Sequence, residues 1–199
     1  MKKETSGNIY KFQLEHNKGY CYAELLDFSD ISDFDGILVQ VYDFGNEEDV
    51  SIDQIKASKI IFGPAPMNKY PNERGRGAWK YIGKSDDYCK TSPFFKSLRG
   101  IIIKDNNWSN LSPWFKIQSF EENSEPIPSD YEAIRYLETK VLNHPDSIRI
   151  KLTMMKIIKD REKVSDYYDL DDRGELNMYL QIVNTYYSKE KAEELLKQI

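Results

Sequence analysis

The stretch Gly77–Ser85, GAWKYIGKS, decides how the first half of the chain is read. It ends on Gly-Lys-Ser, as does a phosphate-binding loop, whose backbone N–H groups curl around an anion at a helix N-terminus. That loop needs four residues between its glycines, and five separate Gly77 from Gly83. The bulky Trp79, Tyr81 and Ile82 would keep the backbone from wrapping a phosphate, and Asp86 and Asp87 would repel one where the helix should begin. A strand, with Ala78 and Lys80 interleaved, accounts for the residues better. The dinucleotide fingerprint fails as well, because Lys80 stands where the third glycine after Gly75 and Gly77 belongs.

Upstream, Asn8–Leu14 alternates with Tyr10, Phe12 and Leu14 on one side, Asn17-Lys18-Gly19 makes a turn, and Tyr20–Leu26 returns as the second arm of a hairpin. Ile37–Asp43 is rich in β-branched residues and predicts a third strand. Ser51 caps a short helical turn over Ser51–Ile55, and Lys59–Phe62 is a strand that Pro64 and Pro66 are expected to end. Met67–Gly77 reads as a basic loop. Downstream, Gly100–Lys104 and Trp114–Gln118 predict strands, the second closing the sheet, with a turn around Asn106–Trp108.

After the polar EENSEPIP, Glu121–Pro128, the period lengthens. Ser129 with Glu132 forms a capping-box pattern, and Tyr131, Ile134, Leu137 and Val141 recur at helical spacing until Pro145 stops them. Helices are predicted from Ser147 to about Lys163, from Glu175 to Tyr187, and from Ser188 onward. The fold class is α+β: a bent antiparallel sheet over 1–120, which a small barrel would also satisfy, a linker at 121–128, and three to four helices over 129–199, packed on the sheet or appended to it.

A chain of 199 residues buries roughly 70% of its unfolded surface, and 40% apolar against 31% charged residues is ordinary for a globular protein. Met1–Gly7 leads into a strand instead of an apolar signal region, and no run of about 18 apolar residues occurs, so a soluble cytoplasmic protein with no membrane partner is expected. Cys21 and Cys89 have no ligand-like spacing and read as free thiols.

The distribution of charge says more than the net −5. From Gly19 to Ile55 there are ten carboxylates and no Lys, Arg or His; Lys56–Lys104 then carries eleven basic residues against Glu73, Asp86 and Asp87. Such blocks either pair with each other across the fold or leave an acidic surface that steers a basic partner.

Other chemistry finds less support. Asp169, Asp171 and Gly174 match positions of a calcium loop, but Arg173 and Leu180 occupy two positions where ligands are required. Neither His16 nor His144 accompanies a nucleophile motif. Arg74, Arg76 and Lys80, with Tyr70, Trp79 and Tyr81, resemble a single-strand nucleic-acid surface, which the pI of 5.2 and the acidic block disfavour. Paired-carboxylate hydrolysis of a nucleotide or glycoside stays open, because acids are plentiful and their separations are not written in the sequence.

Gly7–Leu14, Tyr20–Ala23, Val41–Phe44, Trp79–Gly83 and Pro93-Phe94-Phe95 together resemble the immunity protein 26 family of bacterial polymorphic toxin systems over about residues 7 to 105. The resemblance implies an antidote without enzymatic activity or cofactor that binds and blocks a cognate toxin domain. Charge, not the family, then nominates the contact surface: Asp43, Glu47, Glu48, Asp49 and Asp53. Tyr10, Phe12 and Trp79 are expected in the core.

Overall fold

The computed structural model describes residues 6–27, 36–45, 50–75, 77–86, 98–103, 111–117, 127–139, 141–197 and 199. Strands β1 (Asn8–Gln13), β2 (Tyr20–Asp27), β3 (Ile37–Gly45), β4 (Ile60–Met67) and β5 (Trp79–Lys84) form one antiparallel sheet in the order β4-β3-β2-β1-β5. GAWKYIGKS is therefore an edge strand paired to β1, with Trp79 opposite Phe12.

Alternation sorts the sheet into two faces. Tyr10, Phe12, Cys21, Ala23, Leu25, Val39 and Val41 point to one, where Ile148, Leu152, Met155, Tyr179 and Val183 complete a single hydrophobic cluster. Trp79 is 0% exposed and stacks on Phe12 with ring centroids 4.2 Å apart. Burial holds the Cys21 thiol well above its usual pKa, so it is an inert core group. On the other face Ile9, Tyr22 and Tyr42 meet Ile55 of the short helix α1 (Ile52–Ala57). Ser51 caps α1 in a full capping box with Gln54.

The sheet is open, not a barrel, because helices cover the face that a barrel would have to enclose. β4 continues past Pro64 and Pro66 instead of ending at them, with a register shift against β3 between Phe62 and Ala65. It is an edge strand, and Pro66 turns its own carbonyl away from β3 to accept from Asn143 N at 2.8 Å, so no ladder N–H is lost there. The two following strands do not close this sheet either. β6 (Leu98–Ile103) pairs with β7 (Leu111–Ile117), and β7 pairs with β8 (Ile127–Pro128), in a second, three-stranded sheet. The turn at Asn106–Trp108, the Pro93–Phe95 motif and Cys89 lie outside the described residues.

The helical part begins differently from its pattern. α2 (Tyr131–Ile134) is one turn capped by Asp130, not Ser129, and the chain leaves it long before the exposed Val141. Pro145 opens the next helix instead of stopping the previous one: it sits in the first turn of α3 (Pro145–Lys159), where no N–H is needed, behind His144 as cap. α4 (Arg173–Tyr186) is capped by Asp172, whose Oδ1 accepts from Gly174 N at 2.8 Å and Glu175 N at 3.0 Å. The calcium-like acids thus flank a helix cap. α5 (Lys189–Leu196) follows Ser188 as its cap.

Candidate functional site

The four described carboxylates of the acidic block do not share one surface. Glu24, 0% exposed, stands opposite Gln40 on the α1 side of the sheet and is held by Gln40 Nε2 at 2.9 Å, the Tyr42 hydroxyl at 2.6 Å and Lys56 Nζ at 2.9 Å. Lys56 is the first cation after the acidic run, and its ion pair with Glu24 fastens α1 to the sheet. Asp27 is buried too, with the Ser6 hydroxyl on its backbone and the Tyr70 hydroxyl on its carboxylate. Asp43 projects to the opposite face from α1 and pairs with Lys159 of α3 at 3.0 Å, leaving 38% of its side chain exposed. Asp53 is exposed in the first turn of α1. Glu47, Glu48 and Asp49 lie outside the described residues, immediately before that helix.

Of the basic loop, Arg74 and Lys80 are exposed and Arg76 lies outside the described residues. Lys80 faces Lys11 across the β1–β5 ladder, and the Lys11 ammonium sits over the Tyr20 ring at 4.3 Å. The two glycines that imitate a phosphate loop have packing roles. A Cβ on Gly77, at φ +77, would lie 3.0 Å from Arg149 Nε, and one on Gly83 would lie 2.6 Å from Ile52 Cδ1. One glycine admits α3 and the other admits α1.

Two clefts open where the sheet meets the helices. The smaller, about 600 Å³, lies beside the β1–β2 turn. There Glu15 accepts from Arg149 at 2.9 Å and from the Tyr168 hydroxyl at 2.8 Å, while His16 is set edge-on against Tyr168. Burial, then the hydrogen bond to Glu15, raises the Tyr168 phenol well above its usual pKa, so it remains a neutral donor. Nearby, Lys18 reaches Glu162 at 2.6 Å and Tyr167 at 3.0 Å, and the Tyr167 hydroxyl also donates to Glu162. The Lys18 hydrogen bond holds Glu162 below the ordinary carboxylate value of 4.5. A depressed folded value gives stability that is present above pH 4.5 and lost as pH falls through that folded value. Glu162→Gln is therefore expected to flatten this part of the acid limb of a pH–stability curve, which urea titrations at successive pH values would read.

The larger cleft, about 1000 Å³, lies between β4, α3 and the α4–α5 junction. Lys59, Lys116, Lys159 and Lys191 line it against Asp43 and Glu138, over a floor that includes Ile61, Met155 and Ile158. The Tyr186 hydroxyl donates to Glu138 and accepts from Gly63 N at 3.1 Å. Burial pushes the Tyr187 phenol up to about 12, so it too stays neutral. Asp43, Glu138, Glu15 and Glu162 each already accept from a neighbouring donor, which makes them anchoring acceptors.

None of these networks was named from sequence alone. The visible signal for the Glu24 anchor is polar Glu24 and Gln40 at positions where Tyr22, Leu26, Leu38 and Tyr42 mark one buried face.

The family model for immunity protein 26 matches residues 5–107, spanning the whole five-stranded sheet and α1. The chain belongs to the immunity protein 26 family. No curated protein and no solved structure matches it. The matched region carries the sheet, the Glu24 anchor and the acidic segment, while α3 to α5, which complete the core, lie beyond it. Among the described residues no helix is long and apolar enough to cross a membrane.

Proposed function

We propose that this immunity protein 26 member neutralises a cognate toxin domain by binding it, with no chemistry or cofactor of its own. Membership of the family carries the reading. The proposed contact surface is Asp53, on α1, together with the acidic segment Glu47-Glu48-Asp49 that precedes this helix in the sequence. Support comes from the anchoring of that helix: the capping box at Ser51 and the Glu24–Lys56 pair hold it rigidly, so a partner meets a platform already in place. Glu24 and Asp27 have their charge absorbed inside the fold, and Asp43 is balanced by Lys159, whereas Asp53 projects to solvent.

A basic surface on the toxin would be steered to such a platform and held there in a salt-dependent manner. Calorimetry with an inactivated form of the toxin domain encoded beside this protein is the test. Nanomolar binding is expected, weaker at high salt, and weaker by about tenfold or more on Glu47→Lys/Glu48→Lys/Asp49→Lys, about 1.4 kcal/mol per decade. Absence of binding at both salt concentrations would overturn the antidote reading for that pair.

A further inference from the structure

We infer that the lysine-lined cleft beside β4 is a second docking site, built to receive an extended, carboxylate-bearing segment of the same protein partner. The inference rests on the antidote reading and extends it to a surface of opposite charge. Three observations converge on the cleft. First, its charge runs against that of the protein: four lysines line it against two carboxylates, in a chain whose net charge is −5. Both carboxylates are satisfied from within, Asp43 by Lys159 and Glu138 by the Tyr186 hydroxyl. Lys191 pairs with Glu194, but Lys59 and Lys116 have no anionic partner among the described residues. An incoming carboxylate would meet two ammonium groups that no carboxylate among the described residues neutralises.

Second, the cleft is bordered by a strand edge that is closed in one part and open in another. Along β4, Pro66 O accepts from Asn143 N, Asn68 N donates to Asn143 O at 3.0 Å, and Lys151 fixes Asn143 Oδ1 at 2.6 Å. Gly63 N is taken by Tyr186. Ile60 and Ile61 line the cleft next to the irregular β3 pairing at Val41/Tyr42, and beyond the β3 ladder no backbone partner for them is found among the described residues, which leaves outer-edge groups of this short stretch open. An open edge accepts an extended chain through main-chain hydrogen bonds, with side-chain pockets giving specificity. Third, Ile60 is exposed at the rim and Tyr136 is 63% exposed beside it, above the apolar floor of Ile61, Met155 and Ile158. This is a place for an apolar side chain between two acidic ones. A compact polyanion would use the lysines but leave the strand edge and the apolar floor idle, so the peptide chemistry fits more of the site.

Hydrogen exchange of the protein alone and saturated with the inactivated toxin domain, read at the amides of Ile60 and Ile61, is the test, alongside calorimetry of Lys59→Glu/Lys116→Glu. Slower exchange at whichever of the two amides faces away from β3, and at least about tenfold weaker binding by the double variant, are expected. A second variant, Tyr136→Ala, should weaken binding without affecting folding, since that side chain is largely solvent-exposed. If the toxin binds and depends on Glu47–Asp49, while exchange at Ile60 and Ile61 and the Lys59/Lys116 variant are unchanged, the cleft inference is overturned and the antidote reading stands. If no toxin binding occurs, both fall. Protection of the same amides by oligo(dT) but not by the toxin would also overturn the inference, assigning the cleft to nucleic acid.

Discussion

Trp79→Ala is expected to cost about 3–5 kcal/mol, the upper range for truncating a buried aromatic side chain. Trp79 is fully buried at the start of an edge strand and lies flat on Phe12, at an interplanar angle of 11°. Its removal takes away the apolar area of an indole, and also the stack that holds β5 against β1 at Phe12↔Trp79. The cluster it belongs to includes Ile148 and Leu152, so the loss should be felt in the helices as well as in the strand. At about 2–4 °C per kcal/mol for a chain of this size, the melting temperature should fall by roughly 6–20 °C. Calorimetric and urea unfolding would measure it, and Trp79→Phe should recover part of the loss. A change below about 1 kcal/mol would show that β5 is not part of the cooperative core.

Lys56→Ala is expected to cost about 3 kcal/mol and to weaken toxin binding along with stability. It strips a fully buried carboxylate of its counter-charge. Gln40 and Tyr42 would still donate to Glu24, which keeps the cost at the low end for breaking a buried pair. Replacing both partners, Glu24→Gln/Lys56→Met, should restore most of that loss, because an amide oxygen still accepts from Gln40 and Tyr42 while no buried charge is left unpaired. The double variant thus separates two roles. If it folds normally yet still binds toxin weakly, the ion pair positions α1 for the partner; if it binds as the parent does, the pair matters to stability alone. Urea unfolding and calorimetry on the same samples give both readings.

These two sites show how far local pattern carries. Strand β5 is legible in GAWKYIGKS because bulky alternating side chains between the glycines are incompatible with a phosphate cradle, and the structure gives each glycine a neighbour that needs the space. The hairpin of β1 and β2 and the capping box of α1 follow from two-residue alternation and from Ser51 with Gln54. Proline misleads in both directions, since its missing N–H breaks a ladder or a helix interior but costs nothing on the outer edge of β4 or in the first turn of α3.

The fate of the acidic block was not legible. Ten carboxylates in sequence look like one surface, yet alternation along β2 and β3 sends Glu24 under α1 and Asp43 toward α3, and each meets a cation from a different distance along the chain. The lysine cleft was equally hidden: Lys59, Lys116, Lys159 and Lys191 are widely separated in sequence and converge only through packing. By itself the amino-acid sequence determined the α+β class, most strands and helices, the aromatic core positions and the resemblance to a family of immunity proteins, because periodicity, caps and short motifs are local. The open sheet, the buried Glu24–Lys56 anchor and the grouping of four lysines beside β4 were decided by tertiary structure alone, because charge pairing and cleft formation depend on which residues far apart in the chain are brought within a few ångströms of each other.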